Sequence, residues 1–183
     1  MKRYDDTQII HMLEDAKTRN KAFEEIVKQY SEPLYWKIRR IVLVHEDAND
    51  ILQNVFIKIW NNIADFRSES KLSTWLFRVA INESIDFVRR NKNQRSNLLG
   101  SDDDSLVCKL MADEYFDGDE TEALLQEAVS KLPEVQRVVF TMRYYDDMKY
   151  SEMSKILKTS EGALKASYHI AANKIADFFR SQD

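Results

Sequence analysis

The side chains able to do chemistry in this sequence fall into three stretches. The last runs from Ser151 to Asn173. A short apolar-periodic segment, Ser151–Leu157, meets a three-residue break, Lys158-Thr159-Ser160, and Ser160 is a good N-cap for a second, longer segment. In that second segment Leu164, Tyr168, Ala171, Ile175 and Phe178 or Phe179 share one face. The outward stripe is Gly162, Lys165, Ala166, His169 and Asn173, with Ile170 beside it. Small and hydrogen-bonding side chains near the start of a second helix are what a DNA major groove admits. An ordinary amphipathic helix with a solvated face has the same periodicity, so the pattern alone leaves both readings open.

The second stretch, residues 66–90, mixes aromatic and basic side chains: Phe66, Arg67, Lys71, Trp75, Phe77, Arg78, Phe87, Arg89 and Arg90, with Asn82 among them. Separated nucleic-acid strands are held by cations along the backbone and planar groups under unstacked bases. Trp75 and most of the phenylalanines are expected in a core, which leaves Arg67, Lys71, Asn82, Arg89 and Arg90 as the candidates to reach nucleic acid. The third stretch is a helix in which Ile51, Leu52, Val55, Phe56, Ile59, Trp60 and Ile63 form one apolar stripe. Its opposite face carries Asp47, Asp50, Gln53, Asn54, Lys58 and Asn61, with Ile57 in their midst. Ile57 is either a lone surface apolar residue or a contact on a partner-binding face.

Other chemistries find little support. His45-Glu46-Asp47 with Asp50 superficially resembles a metal cluster, but no repeated inward-facing ligand pattern accompanies it, and no metal or cofactor is expected. The sequence has no glycine-rich phosphate loop, nucleophile elbow or Cys–His pairing, so nothing supports an active site. Its one cysteine, Cys108, excludes a disulfide framework and fits a reducing compartment. A redox switch there competes with an incidental thiol.

The elements that position these stretches can be read from composition. The chain has 183 residues, 44% hydrophobic, with only 3 Gly and 2 Pro. That fills a core and argues for helices over a turn-rich β fold. A helix is expected to start near Ser73 or Thr74 and run through Trp75, Leu76, Val79, Ala80 and Ile85; another carries Pro133 in its first turn, followed by Val135, Val138, Val139 and Met142. No apolar run is long enough for a membrane span, the N-terminus lacks a signal-peptide core, and a cytoplasmic protein without membrane insertion is expected.

The net charge of −4 hides a partition. Residues 101–130 carry ten acidic side chains against Lys109 alone, whereas the segments on either side are mildly basic. The expected architecture is all-α: two small helical domains, 1–91 and 122–183, joined by a flexible acidic linker, 92–121. That linker is either a solvated spacer or a mask over the basic faces of the free protein.

Two segments together resemble a known family. His45–Trp60 (HEDANDILQNVFIKIW) followed by Phe66–Asn82 (FRSESKLSTWLFRVAIN) resembles region 2 of the extracytoplasmic-function sigma factors of bacterial RNA polymerase. Leu132–Ile175 resembles their region 4, and the order of the modules agrees. The resemblance implies a non-enzymatic alternative sigma factor that binds core polymerase through the β′ clamp coiled coil and the β flap. Asp47, Asp50, Gln53, Asn54 and Ile57 would dock on the clamp, which gives Ile57 a use. Arg67, Lys71, Asn82, Arg89 and Arg90 would serve the promoter minus-ten element, with Asn82 pairing with a flipped base. Lys165, Ala166, His169, Ile170 and Asn173, in a helix-turn-helix spanning Ser151–Asn173, would read the minus-thirty-five element. An anti-sigma factor is the further partner implied.

Departures from the family pattern have consequences. Ile170 and Ala172 stand where many relatives carry arginine, and Ala163 where they often carry threonine, so isolated region 4 is expected to bind DNA weakly. Tethering to polymerase would then supply affinity. Asp147 replaces a frequent turn glycine and Ser154 a frequent alanine. Two rivals belong to other classes: a helix-turn-helix regulator acting without polymerase, and an all-helical adaptor. The regulator predicts a ligand pocket or dimerising helix, and neither pattern is visible; the adaptor has no use for Lys165, His169 or Asn82.

Overall fold

In a computed structural model, residues 4–63, 66, 70–90 and 118–181 are described. The architecture among them is all-α, with eight helices. The chain divides into two compact units, Met1–Phe87 and Val88–Asp183.

The first unit opens with α1 (Asp6–Glu14). Asp5 and Gln8 form a reciprocal capping box, Gln8 N–H donating to Asp5 Oδ1 at 2.8 Å and Asp5 N–H to Gln8 Oε1 at 3.1 Å. Ile9 and Leu13, one turn apart, are its buried side. The long α2 (Arg19–Val42) tolerates Pro33 in its interior and buries Ile26, Leu34, Ile38 and Ile41. It stops at Leu43, a non-glycine residue at φ 73°, whose N–H donates to the Arg39 carbonyl at 2.8 Å. The chain then turns into α3 (His45–Asn62), packed on α2. Val44 offers α3 no side-chain cap, but Glu46 and Asp47 place negative charge in its first turn, where the helix dipole favours it.

Helix α4 spans Leu72–Arg90. It begins ahead of both expected caps, so Ser73 and Thr74 lie inside its first turn. Leu72, ahead of both, is fully buried, and helical bonding already starts there, the Lys71 carbonyl accepting from Trp75 N–H at 3.2 Å. Leu76, Ala80, Ile81 and Ile85 continue the buried stripe. On the α3 stripe Ile51, Val55, Ile59 and Ile63 are buried as expected, whereas Trp60 is 42% exposed and leans edge-on to Phe23 at 4.9 Å.

The second unit comprises α5 (Glu120–Ser130), α6 (Glu134–Tyr144), α7 (Tyr150–Leu157) and α8 (Glu161–Arg180). Glu120 and Thr121, assigned to the linker by composition, form the start of α5, because the Asp119 carboxylate caps it by accepting from Glu122 N–H at 2.9 Å. The remainder of the acidic stretch, with Cys108, lies outside the described residues. Pro133 is the N-cap of α6 rather than part of its first turn: its backbone is extended at ψ 146°, and its carbonyl accepts from Arg137 N–H at 2.9 Å. Val138, Val139 and Met142 are buried, but Val135 is 58% exposed. Ala128, Val129, Leu132, Phe140, Ala171 and Ile175 form the core on which α5, α6 and α8 close.

Candidate nucleic-acid and partner faces

The turn between α7 and α8 is the three-residue break read from the sequence. Lys158 takes the left-handed conformation (φ 52°, ψ 42°) that ends α7, and Ser160 caps α8 by accepting from Ala163 N–H at 3.3 Å. Leu164, Ala171 and Ile175 point into the core, and Tyr168 lies nearly parallel to Phe140 at 5.7 Å. Burial, then Tyr150 and Tyr144, push the Tyr168 phenol above its ordinary range against the opposing pull of Arg143, so it stays neutral. With that face fixed, Lys165, Ala166, His169, Ile170 and Asn173 are all exposed on the other.

Small contacts steady this outer face. The Asn173 amide lies 3.2 Å from His169 Nε2, one turn away. The ammonium of Lys165 sits 5.7 Å from the centre of the Tyr150 ring on α7, and the Arg143 guanidinium 5.6 Å from the same ring. The sharp bend ahead of α7 is at Asp147, whose φ of 44° explains why a glycine would suit the position. Aspartate tolerates this region better than most residues, and Arg143 donates to its carboxylate at 2.6 Å.

In the first unit, Asp50, Gln53, Asn54 and Ile57 are exposed along one side of α3, with Asp47 intermediate. Ile57 is 59% exposed. Lys58, beside it, pairs with Glu83 of α4. His45 is held on both ring nitrogens, Nδ1 lying 2.7 Å from the Tyr35 hydroxyl and Nε2 2.9 Å from the Asn49 amide. Those bonds account for the histidine of the metal-like cluster as part of the α2–α3 packing. Among the described residues no group of three His, Cys, Asp or Glu side chains converges on a point that could hold a metal ion. Nor is any helix among them long and apolar enough to cross a membrane.

On α4, Asn82, Arg89 and Arg90 are exposed, as is Lys71 immediately ahead of it; Arg67 lies outside the described residues. Lys71, Asn82 and Arg89 fall close to one helical line, and Arg90 lies to its side. The same line contains Arg78, exposed and one turn before Asn82, which the choice of candidates from sequence passed over. Its signal was there: seven residues after Lys71 and four before Asn82, it repeats the helical period. Trp75, also on this side, is half-buried and tilted against Phe66 at 5.5 Å.

A helical bundle carrying a mixed polar and basic surface, followed in the chain by a helix-turn-helix, is the class of protein that these elements define. Residues 26–94 match sigma-70 region 2, and residues 122–175 match sigma-70 region 4. The chain is 30% identical over 156 residues to the ECF RNA polymerase sigma factor SigW of Bacillus subtilis, covering 81% of this chain and 83% of that one. It is also 30% identical over 146 residues to the sigma factor SigM of the same organism, covering 78% and 86%. Among solved structures, the sigma factor RpoE of Bartonella quintana, crystallised with the anti-sigma factor NepR, shares the fold with a TM-score of 0.69 at 19% identity, over 87% of this chain and 98% of that one. The protein belongs to the extracytoplasmic-function sigma factors of the sigma-70 family. It is an alternative sigma factor that directs transcription initiation.

Proposed function

We propose that the two units divide the work of promoter recognition as the exposed faces suggest. Residues 1–91 form the polymerase-binding and minus-ten module, and residues 122–183 the minus-thirty-five module. The α3 face of Asp47, Asp50, Gln53, Asn54 and Ile57 docks on the β′ clamp coiled coil. On α4, Asn82 pairs with a base extruded from the minus-ten element, while Lys71, Arg89 and Arg90, with Arg67 in the preceding segment, follow the strand backbone. On α8, Lys165, Ala166, His169, Ile170 and Asn173 enter the major groove at the minus-thirty-five element, and the second unit also meets the β flap. The protein performs no covalent chemistry, needs no cofactor and works in the cytoplasm. Its capture by an anti-sigma factor, as for the Bartonella relative, is part of this reading.

The observation that carries the proposal is the sidedness of α8. Its buried residues fix the helix's rotation, so the stripe from Lys165 to Asn173 faces outward and contains no carboxylate to repel phosphate. An extruded base costs a few kcal/mol of unstacking, which pocket contacts and stacking must offset. Run-off transcription with purified core polymerase on a panel of candidate promoters tests the whole reading. A specific transcript is expected. No transcript from any of them overturns it, and specific duplex binding without polymerase favours the regulator. Asn82→Ala is expected to impair promoter opening while core binding stays near normal; equal loss of both makes Asn82 structural.

A further inference from the structure

Two of the contacts that hold helix α4 differ in kind. Near its middle, Phe77 meets α2, edge-on to Tyr30 at 6.3 Å and beneath the Lys37 ammonium at 4.3 Å from the ring centre. Six residues on, at the position next to Asn82, Glu83 is paired with Lys58 of α3. The two partners differ in exposure: the Lys58 side chain is 53% exposed and that of Glu83 only 11%. A carboxylate so far removed from water needs its cation, whereas the cation stands half in solvent on the face that carries Asn54 and Ile57. Apolar contacts along the buried stripe of α4 are non-directional. The charged hydrogen bond is directional, and successive helix residues are set about a quarter-turn apart, so holding Glu83 sets the direction of Asn82.

We propose that Lys58–Glu83 is a positioning pair that couples docking on the α3 face to presentation of Asn82 by α4. This rests on the roles proposed above for that face and for Asn82. In the free protein water screens the exposed half of the pair. When a partner covers α3, the same charges interact through a lower dielectric, and α4 is held more firmly in its base-capturing orientation. Docking and strand opening are thereby linked through side chains, without a change of fold.

The test uses the full chain with core polymerase, and compares Glu83→Gln, Lys58→Met and the double variant. Glu83 is too buried to touch polymerase, so Glu83→Gln is expected to bind core within about twofold of the parent while opening a duplex promoter about tenfold more slowly. On a promoter whose minus-ten region is already mismatched, the deficit is expected to shrink to less than about threefold, because unstacking no longer has to be driven. The double variant is expected to be no slower than the slower single variant. Unchanged opening, losses that multiply in the double variant, or a parallel fall in core affinity overturns the coupling. Asn82→Ala measured alongside separates the causes. If it alone slows opening, the coupling fails and the base-capture role stands; if no variant does, both fail.

Discussion

Replacing Ile57 by alanine separates docking from folding. Fully burying an isoleucine side chain is worth about 1.5–3 kcal/mol. At 59% exposure, more than half of that remains unrealised in the free protein. Covering Ile57 with a partner would therefore contribute about 1–2 kcal/mol, and Ile57→Ala should weaken core polymerase binding about five- to thirtyfold. Folding should barely change, by less than about 0.5 kcal/mol, because little buried contact is lost and alanine is the better helix former. Competition for core polymerase against a labelled sigma factor measures the first quantity, and a thermal melt the second. Trp60, one turn on and braced edge-on by Phe23 at 4.9 Å, is the contrast: Trp60→Ala should lower the melting temperature visibly. Core affinity within twofold of the parent for Ile57→Ala, at an unchanged melting temperature, would refute the docking role of this face.

Ile170→Arg should add one phosphate contact at the edge of the α8 stripe, steepening the salt dependence of promoter affinity by about 0.9 in log–log slope, read from titrations between low and moderate salt; an unchanged slope rules the contact out. Gly162→Ala should stabilise the second unit by about 0.5–1 kcal/mol on a thermal melt, since nothing lies within 4 Å of the added Cβ. Lys158→Gly should stabilise it by a similar amount, about 0.5–1 kcal/mol, because the left-handed backbone at φ 52° penalises any Cβ by more than glycine's extra unfolded-state freedom costs. Loss of stability in either variant would contradict the local geometry.

Local signals were the legible ones. The break at Lys158-Thr159-Ser160 was readable because its cap is made within four residues, and the α8 stripe because one helix face must be buried wherever the helix packs. The start of α4 differs from expectation because Ser73 and Thr74 are good caps by type, whereas Leu72, ahead of both, is fully buried, which cap preference does not encode. The composition that marked Glu120 and Thr121 as linker missed the single Asp119 cap that turns them into helix. The resemblance of His45-Glu46-Asp47 to a metal cluster is superficial in sequence, but the actual partner of His45 Nδ1, the Tyr35 hydroxyl ten residues upstream, is not announced there. Lys58 and Glu83 stand 25 residues apart on different helices, and nothing in either local pattern announces their pairing. At the candidate site, exposure is visible by periodicity, but which exposed residues are tied to one another is tertiary information.

The net charge of −4 is a poor guide to nucleic-acid binding here because acids and bases occupy different structural roles. Asp5 and Asp119 cap helices; Asp6, Glu46, Asp47, Glu120, Glu122, Glu134, Glu152 and Glu161 sit in first turns. There they face the positive ends of helix dipoles, and the favourable interaction falls off within a turn. Lys165 and His169 lie beyond that first turn on α8, as Arg78 lies on α4, whose first turn has no acid at all, with Lys71 immediately ahead of it. The field that a DNA backbone meets is set by the charges within about 10 Å of the contacting face at ordinary salt. A helical protein can thus be acidic in sum, with part of its acid placed where its helices begin and most of the excess between residues 101 and 130, and still present neutral-to-basic faces where the next phosphate would lie.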